Sequence, residues 1–192
     1  MEAPENFSTR WRKSGTRKIA PEVLAELARD VDVRIVYREP ITPTTPIDTL
    51  KILANHQRLS VRRIVLHNPS ITSEIIDSCA RDRSAEIRRQ AAKSKLISPN
   101  SLIGLARDLD VSVRRRVAWN YSTPPQALRK LSDDDDETVR KRVARNIRAP
   151  LDILRNLARD PALVVRKGVL WNPCKPSDVR IELTADTDGA AT

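Results

Sequence analysis

Aromatic side chains are nearly absent from this 192-residue chain: Phe, Tyr and Trp together make up 3% of it. A core of useful size must then be built from Leu, Ile, Val and Ala, and the length suffices for one such domain. Glycine is almost as scarce, with four residues. That argues against a β-sandwich or barrel, whose tight turns consume glycine, and no glycine loop able to cradle a phosphate is present. Cys79 and Cys174 are the only cysteines. A disulfide scaffold and a four-cysteine zinc site are thereby excluded. No apolar run approaches the length of a membrane span, and "MEAPENFSTRWRKSG" at the N-terminus does not read as a signal peptide. A soluble cytoplasmic protein is the expectation. What the chain has in excess is positive charge. Lys and Arg number 35 against 25 Asp and Glu, a formal net charge of +10, which favours an acidic partner without choosing among nucleic acid, anionic surface and acidic protein.

The order of the residues is periodic. "LSVRRIVLHNPSIT", "AEIRRQAAKSKLIS", "VSVRRRVAWNYST", "ETVRKRVARNIRA" and "LVVRKGVLWNPCK" follow one another with lead arginines Arg62, Arg88, Arg114, Arg140 and Arg166, each 26 residues after the last. A second segment keeps the same period in "LAELARD", "LKILANH", "IIDSCARD", "LIGLARD", "LRKLSDD" and "ILRNLARD", with Ala28, Ala54, Ala80, Ala106, Ser132 and Ala158 in register. "SDVRIELTAD" reads as a seventh, truncated copy, with Arg180 in the slot of Leu154 as suits a polar end cap. The first repeat is irregular: Arg34 follows Ala28 too closely, and the longer linker "EPITPTTP" restores the phase. A fixed period of this kind means an array of supersecondary units.

Both segments carry helical periodicity. Leu24 and Leu27, Leu102 and Leu105, and Leu154 and Leu157 form one face of the first piece. Ser/Thr before Pro, as in Thr123-Pro124-Pro125, predicts an N-cap with proline in the first turn. In the second piece Val113, Val117 and Ala118 face inward, and the piece often ends in Asn (Asn68, Asn120, Asn146, Asn172), which tolerates a left-handed terminating conformation. The short period leaves room for one piece to be 3₁₀. The expected architecture is all-α: a right-handed α-solenoid of six two-helix repeats and a C-terminal half-repeat over residues 16–186. A polar, basic extension over 1–15 precedes it and a disordered tail over 187–192 follows.

The unit "TPPxxLxxLARDxDxxVRRxVAxN", written from Thr123 to Asn146 and their neighbours, resembles the bacterial variant leucine-rich repeat and is similar to the HEAT-type repeat, over nearly the whole chain. Some variant leucine-rich repeat proteins carry an N-terminal cysteine cluster for an iron–sulfur centre. Residues 1–15 hold no cysteine, so that cofactor is not implied. The HEAT-like resemblance implies an Asp–Arg ladder between repeats, here Asp108 with Arg114, Asp160 with Arg166 and Asp82 with Arg88. It also implies that the second helices line the concave side.

On a helical projection Arg114 falls with Val113, Val117 and Ala118, whereas Arg115, Arg116 and Trp119 gather on the other side. The matching slots are Arg63, Ile64 and His67; Arg89, Gln90 and Lys93; Lys141, Arg142 and Arg145; and Lys167, Gly168 and Trp171. Of these 15 slots, nine are basic, two are Trp and none is acidic, while 24 exposed slots of the first pieces hold eight basic and seven acidic residues. The charge excess is thus a stripe and not a general property of the surface. Its basic and aromatic members, Arg63, Arg89, Lys93, Arg115, Arg116, Trp119, Lys141, Arg142, Arg145, Lys167 and Trp171, suit phosphate contact and base stacking. DNA or RNA is the expected partner, and an acidic segment of another protein is the alternative.

Little else suggests chemistry. "SDDDDE", Ser132 to Glu137, suits the turn before a helix and lacks the glycine and distal Glu of a calcium loop. Cys79 fills a leucine slot and Cys174 lies in a loop; neither has a paired His. His56 and His67 sit on different elements and form no metal motif. Alkyl-base DNA glycosylases built from HEAT-like repeats resemble this fold, but they hold an aspartate near the flipped base and the stripe slots hold no acid. The expectation is a non-enzymatic protein with no cofactor, no metal, no small-molecule substrate and no membrane span.

Overall fold

Each repeat described by the computed structural model, which covers residues 45–179, folds into two short helices joined by tight turns. The pairs are α1 (Ile47–Ala54) with α2 (Leu59–Val65), α3 (Ser73–Cys79) with α4 (Ala85–Ala91), α5 (Pro99–Leu105) with α6 (Val111–Trp119), α7 (Pro125–Ser132) with α8 (Glu137–Arg145), and α9 (Leu151–Leu157) with α10 (Leu163–Leu170). Residues 177–179 begin a further helix where the truncated copy was expected. The chain is an all-α solenoid. All ten of these helices are α-helical, so neither piece of the repeat is the 3₁₀ segment that the short period allowed. The irregular first repeat with Leu24, Leu27, Ala28 and Arg34, the 1–15 extension and the 187–192 tail lie outside the described residues. Among the described residues no helix is long and apolar enough to cross a membrane.

Helices of seven to nine residues have little stability of their own and depend on packing. The core that supplies it follows the repeat. Leu50 and Leu53, Leu102 and Leu105, Leu128 and Leu131, and Leu154 and Leu157 come from the first helices, and Val61, Ile87, Val113, Val139 and Val165 from the second, all buried. Cys79 takes a leucine slot, and burial pushes its thiol up to about 11. From α4 onward, successive second helices pack directly on one another, most closely α8 on α10, and more closely than the first helices beside them. The second helices form the side that the repeat resemblance implies is the inner one. Gly168 permits the closest step: a Cβ there would lie 3.0 Å from the Ala144 Cβ and 3.2 Å from the Lys141 carbonyl oxygen.

Two hydrogen-bonded ladders tie the repeats together. Arg62, Arg88, Arg114 and Arg140 each grip an aspartate 20 residues ahead: Asp82, Asp108, Asp134 and Asp160. The grip is bidentate, 2.6 Å and 3.1 Å for Arg114 on Asp134. The same guanidinium donates through Nη1 to the carbonyls of Asp108 and Leu109, at 2.9 and 3.1 Å. The expected pairing of Asp108 with Arg114 is therefore corrected. Asp108 offers Arg114 only its backbone carbonyl, and its carboxylate goes to Arg88 of the preceding repeat. The same holds for Asp82 with Arg88 and for Asp160 with Arg166. The reason is geometric: six residues of turn bring the arginine over the aspartate's backbone, while its side chain turns to the neighbouring repeat. Each of these carboxylates also accepts the amide two residues on, Asp110 in the case of Asp108. Burial opposes ionisation of Asp108 and Asp160, but the arginine and that amide outweigh it and hold both carboxyls below the usual aspartate value.

The second ladder is made of asparagines. Asn120, Asn146 and Asn172 are buried, and each Nδ2 donates backwards to two carbonyls of the preceding repeat. Asn146 reaches Ala118 at 2.8 Å and Asn120 at 3.2 Å; Asn172 reaches Ala144 at 2.8 Å and Asn146 at 3.0 Å. Each Oδ1 accepts the amide two residues on, at 2.7 to 2.8 Å. These residues are not left-handed terminators. Asn120 (φ −73°, ψ 126°) and Asn146 (φ −74°, ψ 123°) are extended, which aims the amide at the preceding repeat's backbone. Thr123 is also reassigned. With two prolines after it, the helix starts at Pro125 with Pro124 in the cap position, and the buried Thr123 hydroxyl donates to the Val117 carbonyl at 2.6 Å. Thr72 and Ser98 do cap their helices. In the acidic run, Asp134 serves the arginine ladder and Asp136 caps α8 by accepting the Val139 amide at 2.9 Å.

The asparagine ladder is broken at one place, because Ser94 stands in the asparagine slot. Ser94→Asn should extend the ladder by a rung, its Nδ2 meeting the Leu66 and Asn68 carbonyls that the register places there, and should stabilise the fold by about 1 kcal/mol. Arg114→Ala should cost about 3–5 kcal/mol, since it strands the buried Asp134 carboxylate. Chemical denaturation checks both. A neutral Ser94→Asn and an Arg114→Ala within about 0.5 kcal/mol of wild type would mean that the ladder positions leave no buried group unmatched when a partner is removed.

Candidate functional site

The outward residues of the second helices all fall among the described residues, and they divide by burial. Arg63, Arg89, Lys93, Arg145, Lys167, Trp119 and Trp171 are exposed, whereas Arg115, Arg116, Lys141 and Arg142 are half-buried. The half-buried set comes from α6 and α8, second helices packed closely on their neighbours.

Two of the nine cations are neutralised. Arg115 forms a bidentate pair with Asp136, at 2.8 and 3.2 Å, and Arg63 reaches Glu86 at 3.4 Å. The stripe slots contain no acid, but the N-termini of the next second helices bring these two carboxylates alongside. Arg115, expected to be a free exposed cation, is thus a paired one. The Arg115 guanidinium, against the opposing effect of burial, holds the Asp136 carboxyl far below the usual carboxylate range, aided by the Thr138 hydroxyl and the Val139 amide. Arg89, Lys93, Arg116, Lys141, Arg142, Arg145 and Lys167 make no ion pair among the described residues.

These free cations are gathered. Burial, and then the charges of Arg116, Arg115 and Arg145, push the Arg142 guanidinium below the usual arginine value. Its carbon lies 5.2 Å from the centroid of the Trp119 ring, a cation–π distance that the indole face supports. Trp119 in turn sits beside Tyr121, with ring centroids 6.4 Å apart and planes tilted by 41°. Tyr121 was missed by the slot comparison because it lies beyond the helix; its counterparts in register, Lys95 and Ile147, carry no common chemistry. Arg148, also missed, donates from Nε to the Tyr121 carbonyl at 3.1 Å and adds a further exposed cation to this edge.

The opposite side of the solenoid behaves differently. Lys51 pairs with Glu74, Arg129 with Asp152 and Arg155 with Asp178, each bridging one first helix to the next repeat. Exposed cations without such a pair, Arg81, Arg107 and Lys130, also lie on or just beyond the first helices, but carboxylates stand among them, whereas the stripe over α6 and α8 holds the single pair of Arg115 with Asp136. A cleft of about 370 Å³ between the second and third repeats lies away from the stripe and is lined by the ladder residues Arg62 and Asp82 with His56, Gln57 and Arg83. His56 occupies the slot that holds aspartate in the other repeats, and its Nδ1 accepts the Arg58 amide as those aspartates accept theirs.

No family model matches the chain, and no curated protein sequence does. Among solved structures the chain is similar to one described as a leucine-rich repeat variant with a novel repetitive structural motif, with a TM-score of 0.64 at 25% identity over 84% of this chain and 68% of the other. The resemblance read from the repeat unit and the all-α repeat architecture agree with that likeness.

A cluster of like charges without counter-charges repels itself. Arg145→Gln should therefore leave the fold unharmed at low ionic strength or stabilise it by up to about 0.5 kcal/mol, with the gain vanishing near 1 M salt, where the screening length falls to about 3 Å. Thermal melts at both salts check this. A clear loss of stability at low salt would reveal a favourable partner for Arg145 and dissolve the cluster as a site.

Proposed function

We propose that this leucine-rich-repeat-variant-like solenoid is a non-enzymatic scaffold that binds a polyanion, nucleic acid, along the inner face of its second helices. A repeat scaffold supplies an extended surface for a partner. The observation that carries the finer reading is the gathering of Arg116 and Arg145 about Arg142, none of them with an acidic partner, and the seating of Arg142 on the Trp119 ring, on a molecule whose first helices set carboxylates among their cations. Phosphates would relieve that repulsion, release condensed counterions and meet rigid guanidinium forks suited to them. The arrangement offers no general base: Asp136, the carboxylate nearest the cluster, is held ionised by Arg115 and is too weak a base for proton abstraction near neutral pH. The reading takes the chain as cytoplasmic, without cofactor or metal. The other reading, an adaptor gripping an acidic protein segment, draws on the same pairing of Trp, Tyr and Arg, which are the residues that dominate protein interfaces.

Binding to random-sequence DNA or RNA should weaken log-linearly with salt. Changing Arg116, Arg142 and Arg145 to Glu should abolish it, while the same reversal of Arg81, Arg107 and Lys130, exposed on the other side, should cost far less. Electrophoretic or anisotropy titrations at several salts check this. Equal losses in the two triple variants would reduce the interaction to net charge. No binding by the wild type at low salt would leave the adaptor reading.

A further inference from the structure

We infer that the polyanion is single-stranded, and that its bases stack on Trp119, Tyr121 and Trp171 while its phosphates lie along the arginines of α6 and α8. This rests on the proposed polyanion reading and adds the strand type and the contacts. It starts from the placement of the aromatics. The described residues contain only these three, and all are exposed, at 37, 56 and 71%. The core is built without any aromatic, although aromatics are the side chains with the most apolar area to bury. Three rings are left at the surface, two of them side by side and one under the Arg142 guanidinium, a placement that suits a partner presenting flat faces.

The edge has two rows. Trp119 ends α6, Tyr121 follows it in the turn, and Trp171 caps the C-terminus of α10. Arg116 lies one turn back from Trp119 on α6, and Arg142, from α8, covers part of the Trp119 ring. A single strand offers the same division, with phosphates along one side and unpaired bases along the other. A duplex offers the phosphates but hides its base faces in the stack. Trp119 and Trp171 are equivalent positions two repeats apart. At about 8–10 Å between packed helices they stand roughly 16–20 Å apart. That separation matches about five or six nucleotides at the 3.4 Å spacing of a stacked strand, and fewer in an extended one. The equivalent residue between them is Arg145, whose planar guanidinium also stacks on bases.

Fluorescence anisotropy of labelled oligo-dT of about 16 nucleotides, and of a mixed-sequence duplex of the same length, titrated with the full chain at several salts, tests the inference. The expected result is tighter binding of the single strand, quenching of tryptophan fluorescence on binding, and a loss of about tenfold or more in single-strand affinity in each of Trp119→Ala and Trp171→Ala with the salt slope and duplex affinity unchanged. Trp119→Phe should retain most of the affinity. Trp171→Ala removes a side chain 71% exposed and outside the core, so it keeps the test sound should Trp119→Ala perturb folding. Single strand and duplex bound equally, with neither tryptophan variant affected, would overturn the stacking and leave the polyanion reading standing. No binding of either nucleic acid at low salt would overturn both.

Discussion

Everything in this solenoid depends on a constant register between neighbours. An arginine must find an aspartate 20 residues ahead, and an asparagine must find carbonyls 26 and 28 residues behind. Neither reach survives an insertion within a repeat. The helices are too short to persist alone, and a core of Leu, Ile, Val and Ala is non-directional, so it could tolerate neighbours sliding past one another. The ladders remove that freedom. Each arginine uses its guanidinium on two carbonyls of its own turn and one carboxylate of the next repeat, and the carboxylate accepts a turn amide as well. Buried charges arranged this way fix geometry more than they add stability, because desolvation offsets much of their attraction.

That division of labour explains how the surface is free to be unusual. Positions inside the ladders carry charge that is matched, and several cations of the outer helices pair with carboxylates of the next repeat. The inner face of α6 and α8 is the exception, with arginines placed side by side and one guanidinium seated on an indole. Its cost in repulsion is small beside the stability that packing and ladders provide, and it is the kind of cost retained where a partner supplies the missing charge. Gly168 belongs to the same arrangement. By admitting α10 close to α8, it ends the run of long side chains in the Arg116 and Arg142 slot.

Much of this was legible in the sequence. The period, the pairing of two helices per repeat and the inward positions of Val113, Val117 and Ala118 follow from residue spacing, and so does the sorting of charge onto one stripe. What spacing could not tell was direction along the third dimension. Arg114 is on the buried side as expected, yet it bonds forward to Asp134, because a helical projection says which side a residue faces and not which neighbour it meets. Asn146 marks a helix end as expected, yet its side chain, and not a left-handed backbone, is what the position requires. Arg115 looked like its neighbours Arg116 and Arg142 until Asp136, 21 residues on, was brought beside it. Tyr121 lay one turn outside the repeating pattern, and only its contact with Trp119 joins it to the face.

The central claim is that the unpaired inner face, and not the basic molecule as a whole, meets the polyanion. Lysine acetylation footprinting, read by mass spectrometry with and without a bound oligonucleotide, addresses it at the residues themselves. Lys93, Lys141 and Lys167 lie on the inner stripe, and Lys51 and Lys130 lie on the outer helices. The account predicts strong protection of the first three and none of the last two. Equal protection of all five, or protection of the outer pair alone, would contradict it.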